Sequence, residues 1–303
     1  MSWSLCPEAA HTVMTRPVAP DPATAATRSV LERLLRDDAP YGDLTTEALE
    51  IGALPAVMTF HARDAMVAAL VEDAAAIVEI AGGVVDWRAR SGDRLQPGAP
   101  ILSARGPAGA LLKGWKVAQT LIEIWSGVAT SASEIVTAAR SVSPDIAVAC
   151  TRKHTPGVKD FAVAAVKAGG ATMHRMGLSE TILVFPEHLA FLEGVDGAAL
   201  VAAARTSSPE KKLVIEVKSI ETGVAAAVAG FEIIQAEKFS PRELAELVSA
   251  VSALDRRPLI AAAGGVNTAN AADYARSGAD FLVTSAPYAA APRDVAVKIA
   301  PQA

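Results

Sequence analysis

The sequence has few cysteines and few aromatic residues, and both shortages restrict its class. Only Cys6 and Cys150 occur in 303 residues. Two cysteines so far apart cannot build a disulfide framework, so a reducing, cytoplasmic setting is expected. Aromatic residues make up 5% of the chain, while hydrophobic residues, mostly Ala and Val, reach 51%. This composition favours a mixed α/β interior over an all-β sandwich.

Positive charge and long apolar runs are also scarce. The net charge is -5, which argues against nucleic acid as the main partner because phosphate-backbone binding needs a basic face. The longest stretch without a charged side chain lies between Arg257 and Asp273 and contains two Gly and two Asn residues. No membrane-spanning helix, and so no membrane partner, is expected there.

Familiar motifs for metal binding and nucleophilic catalysis are missing as well. His11, His61, His154 and His188 have no metal-ligand spacing with the cysteines, and no GxSxG sequence occurs. Residues 1–23 contain several prolines and no apolar core of signal-peptide length. We therefore expect a loose tail at 1–23 and neither a zinc site nor a serine nucleophile.

Positive charge is instead concentrated in one stretch, Cys150 to Leu178. A short apolar strand pattern precedes this stretch, and helical periodicity follows from Gly157 to Ala168, so Arg152 and Lys153 fall in a strand-to-helix connection. Such connections carry the ligand site in α/β folds. An acidic chain with a local basic cluster is expected to bind a small anion. The cluster comprises Arg152, Lys153, His154, Lys159, Lys167, His174 and Arg175.

The same stretch carries a resemblance to a known family. TRKHTPG, a following GG and HRMGLSETILV resemble the quinolinate phosphoribosyltransferase (nicotinate-nucleotide pyrophosphorylase, carboxylating) family, most closely its ModD branch. The resemblance extends from about Leu31 to Ile299. Its further motifs are PYGDLTTEAL, SGDRLQPGAPIL, WSGVATSASE, VIEVKS, AAGGVN and TSAPY.

Two domains are expected from length, hydrophobic content and pattern. Strand and helix patterns predict an amino-terminal α/β sandwich domain at 24–128. Arg293 to Ile299 alternates again, and the resemblance implies that 288–303 rejoins this domain. Its helix is expected over Thr24 to Asp37, and 107–128 reads as one long or broken helical stretch with Gly114 and Gly127 at its breaks. Six strand-helix units follow at 129–287, which matches the open, incomplete α/β barrel that the resemblance implies.

The first predicted site is Arg152, Lys153, His174 and Arg175 at the carboxyl ends of neighbouring strands. A histidine held near an anion can stay protonated at neutral pH. The resemblance implies that Arg152, His174 and Arg175 hold the carboxylates of a quinolinate-like acceptor. It also implies that Lys153 faces the co-substrate phosphoribosyl pyrophosphate.

Two carboxylates form a second predicted site. Glu216 and Glu237 each end a strand, and the resemblance implies that they engage ribose hydroxyls and Mg²⁺, an ion that prefers a few carboxylates plus substrate oxygens. The family usually has Asp at the position of Glu237. Ion pairs with Lys218 or Lys238 are the structural alternative for these two carboxylates.

A third site is expected at Gly264 and Gly265, between a strand and a helix opening near Asn267, with Ser285 at the end of the next strand. Backbone amides there can cradle a phosphate, because glycine permits close approach.

The resemblance also implies a homodimer, or a multiple of one, with shared active sites. Lys116 occupies the place of a family Arg that reaches into the neighbouring subunit. An apolar helical face that exceeds the needs of one small domain supports this expectation: Leu121, Ile122, Ile124 and Trp125.

The function expected by resemblance is transfer of phosphoribose to a nitrogen heterocycle. Phe185 stands where the family has Lys, and Ala263 where it usually has Ser, so a flatter and less charged acceptor than quinolinate is expected. The alternative is an anion- or nucleotide-binding protein without turnover, linked to molybdenum transport through the genes that give the ModD branch its name.

Overall fold

The computed structural model describes residues 23–192 and 194–302. Almost all of the expected tail at 1–23 lies outside the described residues. The chain first builds a small domain whose elements are α1 (Arg28–Asp38), α2 (Leu44–Ala48), β1 (Pro55–Ala62), β2 (Met66–Val67), α3 (Val71–Ala81), β3 (Val84–Arg88), β4 (Arg94–Leu95) and β5 (Pro100–Pro107).

These elements form where the apolar pattern requires them. In β1 every second residue is buried, from Ala56 to Ala62, so one face of the strand packs on the core. The first helix buries Leu31 and Leu35, as its stripe predicts, but begins at Arg28 rather than Thr24. Asp43 caps the short helix α2, since its carboxylate accepts hydrogen bonds from two backbone N–H groups.

Of the two alternatives for the central stretch, the single long helix is correct, and the breaks at Gly114 and Gly127 are not found. Helix α4 (Ala108–Arg140) runs unbroken for 33 residues. A Cβ on Gly114 would lie 3.2 Å from the Cβ of Ala81, and one on Gly127 would collide with the carbonyl of Ala291. The two glycines therefore permit close packing rather than kinks, and the expected boundary at residue 128 falls inside this helix.

The carboxyl-terminal part is a curled parallel sheet, as expected. Its strands are β6 (Ala147–Cys150), β7 (Thr172–Met173), β8 (Ile182–Val184), β9 (Leu213–Val217), β10 (Ile233–Glu237), β11 (Leu259–Ala263) and β12 (Phe281–Thr284), and the order is β7-β6-β12-β11-β10-β9-β8. Within the described residues this makes seven strands rather than six, because sequence reasoning missed the two-residue β7. The edge strands β7 and β8 leave the barrel open.

Helices connect these strands along the outside of the sheet. They are α5 (Lys159–Ala168), α6 (Pro186–Leu189), α7 (Gly197–Ser207), α8 (Ile220–Ala229), α9 (Pro241–Val251) and α10 (Ala271–Arg276), followed by a 3₁₀ turn at Ala286–Ala289. The helix expected near Asn267 begins only at Ala271. No helix start therefore lies directly behind Gly264 and Gly265.

Small side chains line the inner wall of the barrel. Ala261, Ala263 and Val283 form a separate buried cluster, with Ile233 and Phe281 packed against it. Alanines in the middle of the sheet leave room above them, at the carboxyl ends of the strands. This is where ligand sites of α/β sheets lie.

The chain then returns to the small domain. Strand β13 (Val295–Pro301) pairs antiparallel with β1, which gives a four-stranded sheet in the order β13-β1-β5-β3. The return predicted from the alternation after Arg293 is thus present.

The apolar face of α4 packs mostly within its own chain, so it does not support the expectation of a homodimer. Leu121, Ile122 and Trp125 are buried inside the chain itself, and of the four residues named only Ile124 is exposed.

Across residues 23–192 and 194–302, no helix is both long and apolar enough to cross a membrane.

Candidate active site

A cavity of about 750 Å³ opens at the carboxyl ends of the barrel strands. It collects side chains that are far apart in sequence. The lining residues are Thr151, Arg152, Lys153, His174, Arg175, Leu183, Phe185, Glu187, Glu216, Gln235, Glu237, Lys238, Ala263, Gly264, Gly265, Val283, Thr284 and Ser285. Of the predicted site residues, Lys116 is the one that the cavity does not include.

The basic loop after β6 is fixed by backbone contacts. The Thr151 N–H donates to the carbonyl of Thr284 (2.9 Å), and the Tyr288 hydroxyl donates to the carbonyl of Thr151 (2.9 Å). On the other side, the His174 N–H donates to the carbonyl of Cys150 (2.8 Å). These bonds hold the loops after β6 and β7 side by side, so Arg152 lies close to His174 and Arg175.

Arg175 is a buried cation. The residue is only 6% exposed. No carboxylate of the described chain lies within ion-pair distance of its guanidinium. Burial and the nearby charge of Arg152 lower the pKa of Arg175, while the negative charge of Glu180 partly offsets this shift. A buried charge without a partner is costly, so this guanidinium is suited to an anionic ligand.

His174 is neutral in the free site. Burial is the main cause and the positive charges of Arg175 and Arg152 add to it, lowering its pKa to about 4. Protonation of His174 at neutral pH is expected only beside an anion, and this expectation stays a prediction. An anion bound between the two arginines would oppose this shift.

The carboxylates lie on the opposite side of the cavity. Glu216 and Gln235 are paired in register on β9 and β10, and Gln235 Nε2 donates to Glu216 Oε2 (2.9 Å). Burial raises the pKa of Glu216, and the charges of Glu237 and Glu187 act in the same direction. Glu216 and Glu237 are therefore close enough to influence each other.

Sequence reasoning missed Gln235 and did not assign Glu187 to the site. Gln235 is 5% exposed, and its Oε1 has no hydrogen-bond partner in the described part of the protein. The available signal was the strand period, which puts Gln235 on the same face as Glu237, two residues later. Glu187 follows Phe185 by two residues, at the start of α6.

The alternative that Glu216 and Glu237 form ion pairs with Lys218 or Lys238 is not supported. No ion pair within 4.0 Å joins Glu216 or Glu237 to Lys218 or Lys238 among the described residues. Lys238 has a positive φ of 61°, which is rare for a side-chain-bearing residue, and its N–H donates to the carbonyl of Ala263 (2.8 Å). The chain thus turns sharply away directly after Glu237.

The two glycines after β11 have backbone conformations that favour glycine, with φ of 83° at Gly264 and 103° at Gly265. A Cβ on Gly264 would lie 2.7 Å from the Glu237 carboxyl carbon, whereas one on Gly265 would meet open space. Asn267 and Asn270 both donate side-chain N–H groups to the Gly265 carbonyl (3.1 and 3.0 Å). The loop is therefore fixed by its asparagines rather than by a helix start.

Ser285 and Thr284 have different roles. The Thr284 hydroxyl is buried and donates to the carbonyl of Val266 (2.6 Å), which ties β12 to the glycine loop. Ser285 lines the cavity. Lys116 lies on the exposed face of α4, where its Nζ donates to Gln119 (2.9 Å) and lies 4.0 Å from the centre of the Trp115 ring.

Phe185 directly follows the edge strand β8 and lines the cavity. Its ring lies 5.8 Å from the ring of His188 in a stacked arrangement, and its N–H donates to His188 Nδ1 (2.9 Å). The guanidinium carbon of Arg175 is 5.9 Å from the centre of the Phe185 ring. Contact of this kind across the edge strands joins the basic and acidic sides of the cavity.

Fold and cavity together define an open α/β barrel whose cavity, at the carboxyl ends of the strands, is lined by both cationic and carboxylate side chains. The quinolinate phosphoribosyl transferase C-terminal domain matches residues 128–298, and the N-terminal domain of the same family matches residues 43–126. The chain therefore belongs to the quinolinate phosphoribosyltransferase family.

Two curated relatives and one solved structure illustrate the similarity. "Putative pyrophosphorylase ModD" of Rhodobacter capsulatus is 46% identical over 84% of this chain and 97% of its own length. "Probable nicotinate-nucleotide pyrophosphorylase [carboxylating]" of Archaeoglobus fulgidus is 31% identical over 80% of this chain and 92% of its own length. A crystal structure of a NadC deletion mutant superposes with a TM-score of 0.82 at 26% identity, covering 91% of this chain and 96% of that one.

Proposed function

We propose that this protein transfers a phosphoribosyl group from phosphoribosyl pyrophosphate to a ring nitrogen of a small heterocycle. The bond from ribose C1 to pyrophosphate breaks, a bond from C1 to nitrogen forms, and pyrophosphate leaves with the electron pair. One observation carries the proposal: the unpaired, buried Arg175 faces a cavity whose other side holds Glu216 and Glu237. One cavity thus offers cations for anionic groups and carboxylates for a ribose that becomes positive in the transition state.

The basic side is assigned to the acceptor. Arg152, His174 and Arg175 would bind its carboxylate, and each charged hydrogen bond of this type contributes about 1.5–3 kcal/mol. Lys153, next to Arg152 in the same fixed loop, would face the phosphoribosyl pyrophosphate. None of these groups needs to act as a nucleophile, since positioning and electrostatics carry such a reaction.

The carboxylate side fits Mg²⁺ bound together with the donor substrate. The described residues contain no group of three His, Cys, Asp or Glu side chains that would hold a metal without help. Glu216, Glu237 and the unpartnered Oε1 of Gln235 all line this cavity and offer oxygen atoms only, the ligand type that Mg²⁺ prefers. The remaining ligands would be substrate oxygens, and the ion would neutralise pyrophosphate charge as that group leaves.

Phosphate binding is assigned to Gly264, Gly265 and Ser285. Within residues 23–192 and 194–302, neither glycine N–H donates to another atom of the chain. The open space beside Gly265 lets a phosphate approach the backbone closely.

We further propose that the protein works as a homodimer, or a multiple of one, in the cytoplasm, with small anions as its ligands. Lys116 is exposed and lies outside the cavity of its own chain. It would complete the cavity of a second copy. Nucleic acid is not among the proposed partners because the chain is acidic, with a net charge of -5.

The second candidate is an anion- or nucleotide-binding protein without turnover, linked to molybdenum transport. The carboxylates disfavour it. Glu187, Glu216 and Glu237 line the same cavity as the cations and would repel a simple oxyanion, unless a metal or a ribose lay between them.

Titration with phosphoribosyl pyrophosphate, with and without Mg²⁺, tests the proposal. Tight binding is expected only with Mg²⁺, followed by pyrophosphate release when a heterocycle is added. Glu216→Gln should weaken the Mg²⁺-dependent binding at least tenfold. The matched control is Glu246→Gln, which alters an exposed carboxylate paired with Arg242. Mg²⁺-independent binding of molybdate or phosphate without turnover would instead support the binding protein.

A further inference from the structure

The acceptor pocket combines one aromatic wall with a nearly balanced charge. Among the described residues that line the cavity, Phe185 is the single Phe, Tyr or Trp. Apolar groups of Leu183, Val283 and Ala263 complete the lining around it. A planar ring would therefore find one aromatic face and several aliphatic contacts.

Phe185 is held in place from behind. His188 stacks on it at 5.8 Å with 23° between the ring planes, and the same histidine accepts the Phe185 backbone N–H. Pro186 directly follows and starts α6, which fixes the backbone at this position. The ring is thus a preorganised surface, and binding against it costs little side-chain entropy.

The charges leave little room for a dianion. Four cationic side chains line the cavity, Arg152, Lys153, Arg175 and Lys238, against the three carboxylates of Glu187, Glu216 and Glu237. In the ligand-free site burial and the two arginines lower the pKa of His174 to about 4, so His174 adds a charge only if it takes up a proton beside a bound anion. Before any ligand binds, the excess is one positive charge, or two with Lys116 of a second copy. Phosphoribosyl pyrophosphate, with its phosphate and pyrophosphate groups, would use this excess even with Mg²⁺ bound.

We propose that the acceptor is a planar nitrogen heterocycle with a single carboxylate, stacked on Phe185 with that carboxylate at Arg175. The inference rests on the proposed phosphoribosyl transfer and specifies its acceptor. Arg175 lies 5.9 Å from the Phe185 ring centre, so a ring over Phe185 places its edge beside the guanidinium. An offset aromatic pair contributes about two- to tenfold in affinity beyond its buried area.

Equilibrium binding of two non-reacting carboxylates tests whether the pocket prefers a planar ring when the ligand charge is kept constant. Benzoate and cyclohexanecarboxylate are monoanions of similar size, and only benzoate is planar. The wild-type protein should bind benzoate about three- to tenfold more tightly. Phe185→Leu should abolish this preference, whereas Phe185→Tyr should retain it. Phe191→Leu is the matched control, since Phe191 is 91% exposed and does not line the cavity. Equal binding of both monoanions, or a preference that Phe185→Leu leaves unchanged, would overturn the stacking role.

Steady-state assays with phosphoribosyl pyrophosphate and Mg²⁺ test the single charge. Nicotinate should be used at least tenfold more efficiently than quinolinate, and Phe185→Lys should shift the ratio towards quinolinate. Efficient use of quinolinate by the wild-type protein would overturn the proposed charge limit. Failure of the proposed function has another signature, in which no heterocycle releases pyrophosphate while the benzoate preference persists.

Discussion

The side chains of Arg175 and Phe185 meet across the opening between the two edge strands of the barrel, with the guanidinium carbon 5.9 Å from the ring centre. Arg175 follows β7, and Phe185 follows β8. The cation is buried and has no carboxylate partner in the described chain. At this distance the guanidinium makes only a weak cation–π contact with the ring, which leaves its charge available to a ligand.

Replacing Arg175 by Met should separate binding from folding. The apolar side chain keeps most of the packing and removes an unpaired buried charge, so Tm should stay level or rise. Binding of benzoate should fall about tenfold to a hundredfold. Arg257→Met is the control with the opposite outcome: it breaks the ion pair with Asp280 (3.0 Å), lowers Tm and leaves binding unchanged. A strongly lowered Tm with intact binding in Arg175→Met would make Arg175 a structural residue.

Anion binding should depend on pH through His174. The pKa of His174 is about 4 in the free site and would rise beside a bound anion, so binding takes up a proton. Affinity should therefore increase as pH falls below 7 and level off near pH 4. Calorimetry in two buffers of different ionisation enthalpy measures the uptake. His174→Gln should remove the pH dependence, and affinity that stays constant from pH 7 to 5 in the wild type would contradict it.

His174 should also make the stability of the ligand-free protein depend on pH. Because the folded pKa of His174 is lowered from 6.5 to about 4, the unfolded chain binds its proton first. Stability should thus be lost as pH falls from about 6.5 towards 4. Denaturation at pH 7 and pH 5 should show a smaller loss for His174→Gln than for the wild type. Arg152→Ala should also reduce the loss, because it removes one of the charges that lower the pKa.

Gly264→Ala tests the phosphate loop. A Cβ there would lie 2.7 Å from the Glu237 carboxyl carbon, so Glu237 would have to move, in addition to the cost of about 1–2 kcal/mol for a positive φ. Binding of phosphoribosyl pyrophosphate with Mg²⁺ should fall at least tenfold. Gly98→Ala is the matched control, with a φ of 85° and nothing within 4 Å of the added Cβ. Equal effects of both variants on binding would refute a local role for the loop.

Gln235→Leu should change the pH range of Mg²⁺-dependent binding. The variant removes the hydrogen bond that Gln235 Nε2 donates to the Glu216 carboxylate. Burial raises the pKa of Glu216, and this hydrogen bond lowers it. That pKa should rise further, so the loss of binding on acidification should begin at higher pH. Gln96→Leu is the control, since Gln96 is exposed in the amino-terminal domain and does not line the cavity. An unshifted pH profile would exclude Gln235 as the residue that positions Glu216.

Lys116 can be tested by mixing two inactive variants. If Lys116 completes the cavity of a second copy, Lys116→Ala and Arg175→Ala each impair every site of their own homodimer. A mixed dimer contains one site with both defects and one intact site. Mixing after mild unfolding should therefore restore about a quarter of wild-type activity. Activity that stays at the level of the single variants would place the two residues in the same site or make Lys116 irrelevant.

Much of the fold could be predicted from the sequence because its signals are local. The alternation of apolar strands with helices predicts a parallel sheet, and the six longer strands are found within a few residues of their expected positions. The two-residue β7 was missed because so short a strand has no period to detect. Gly114 and Gly127 were misread for a related reason: whether a helical glycine bends a helix or receives a neighbour depends on what packs against it.

Which groups lie at the strand ends, and therefore which ones meet, can be read from local sequence. Arg152 follows an apolar strand, Glu216 and Glu237 lie at the ends of two others, and parallel strands bring their carboxyl ends to one edge. The state of these groups, in contrast, depends on the folded chain. The neutral His174, the unpaired Arg175 and the Glu216–Gln235 contact all depend on burial and on neighbours from other strands. Charge state follows the local environment, and distant parts of the chain create that environment only when the sheet curls.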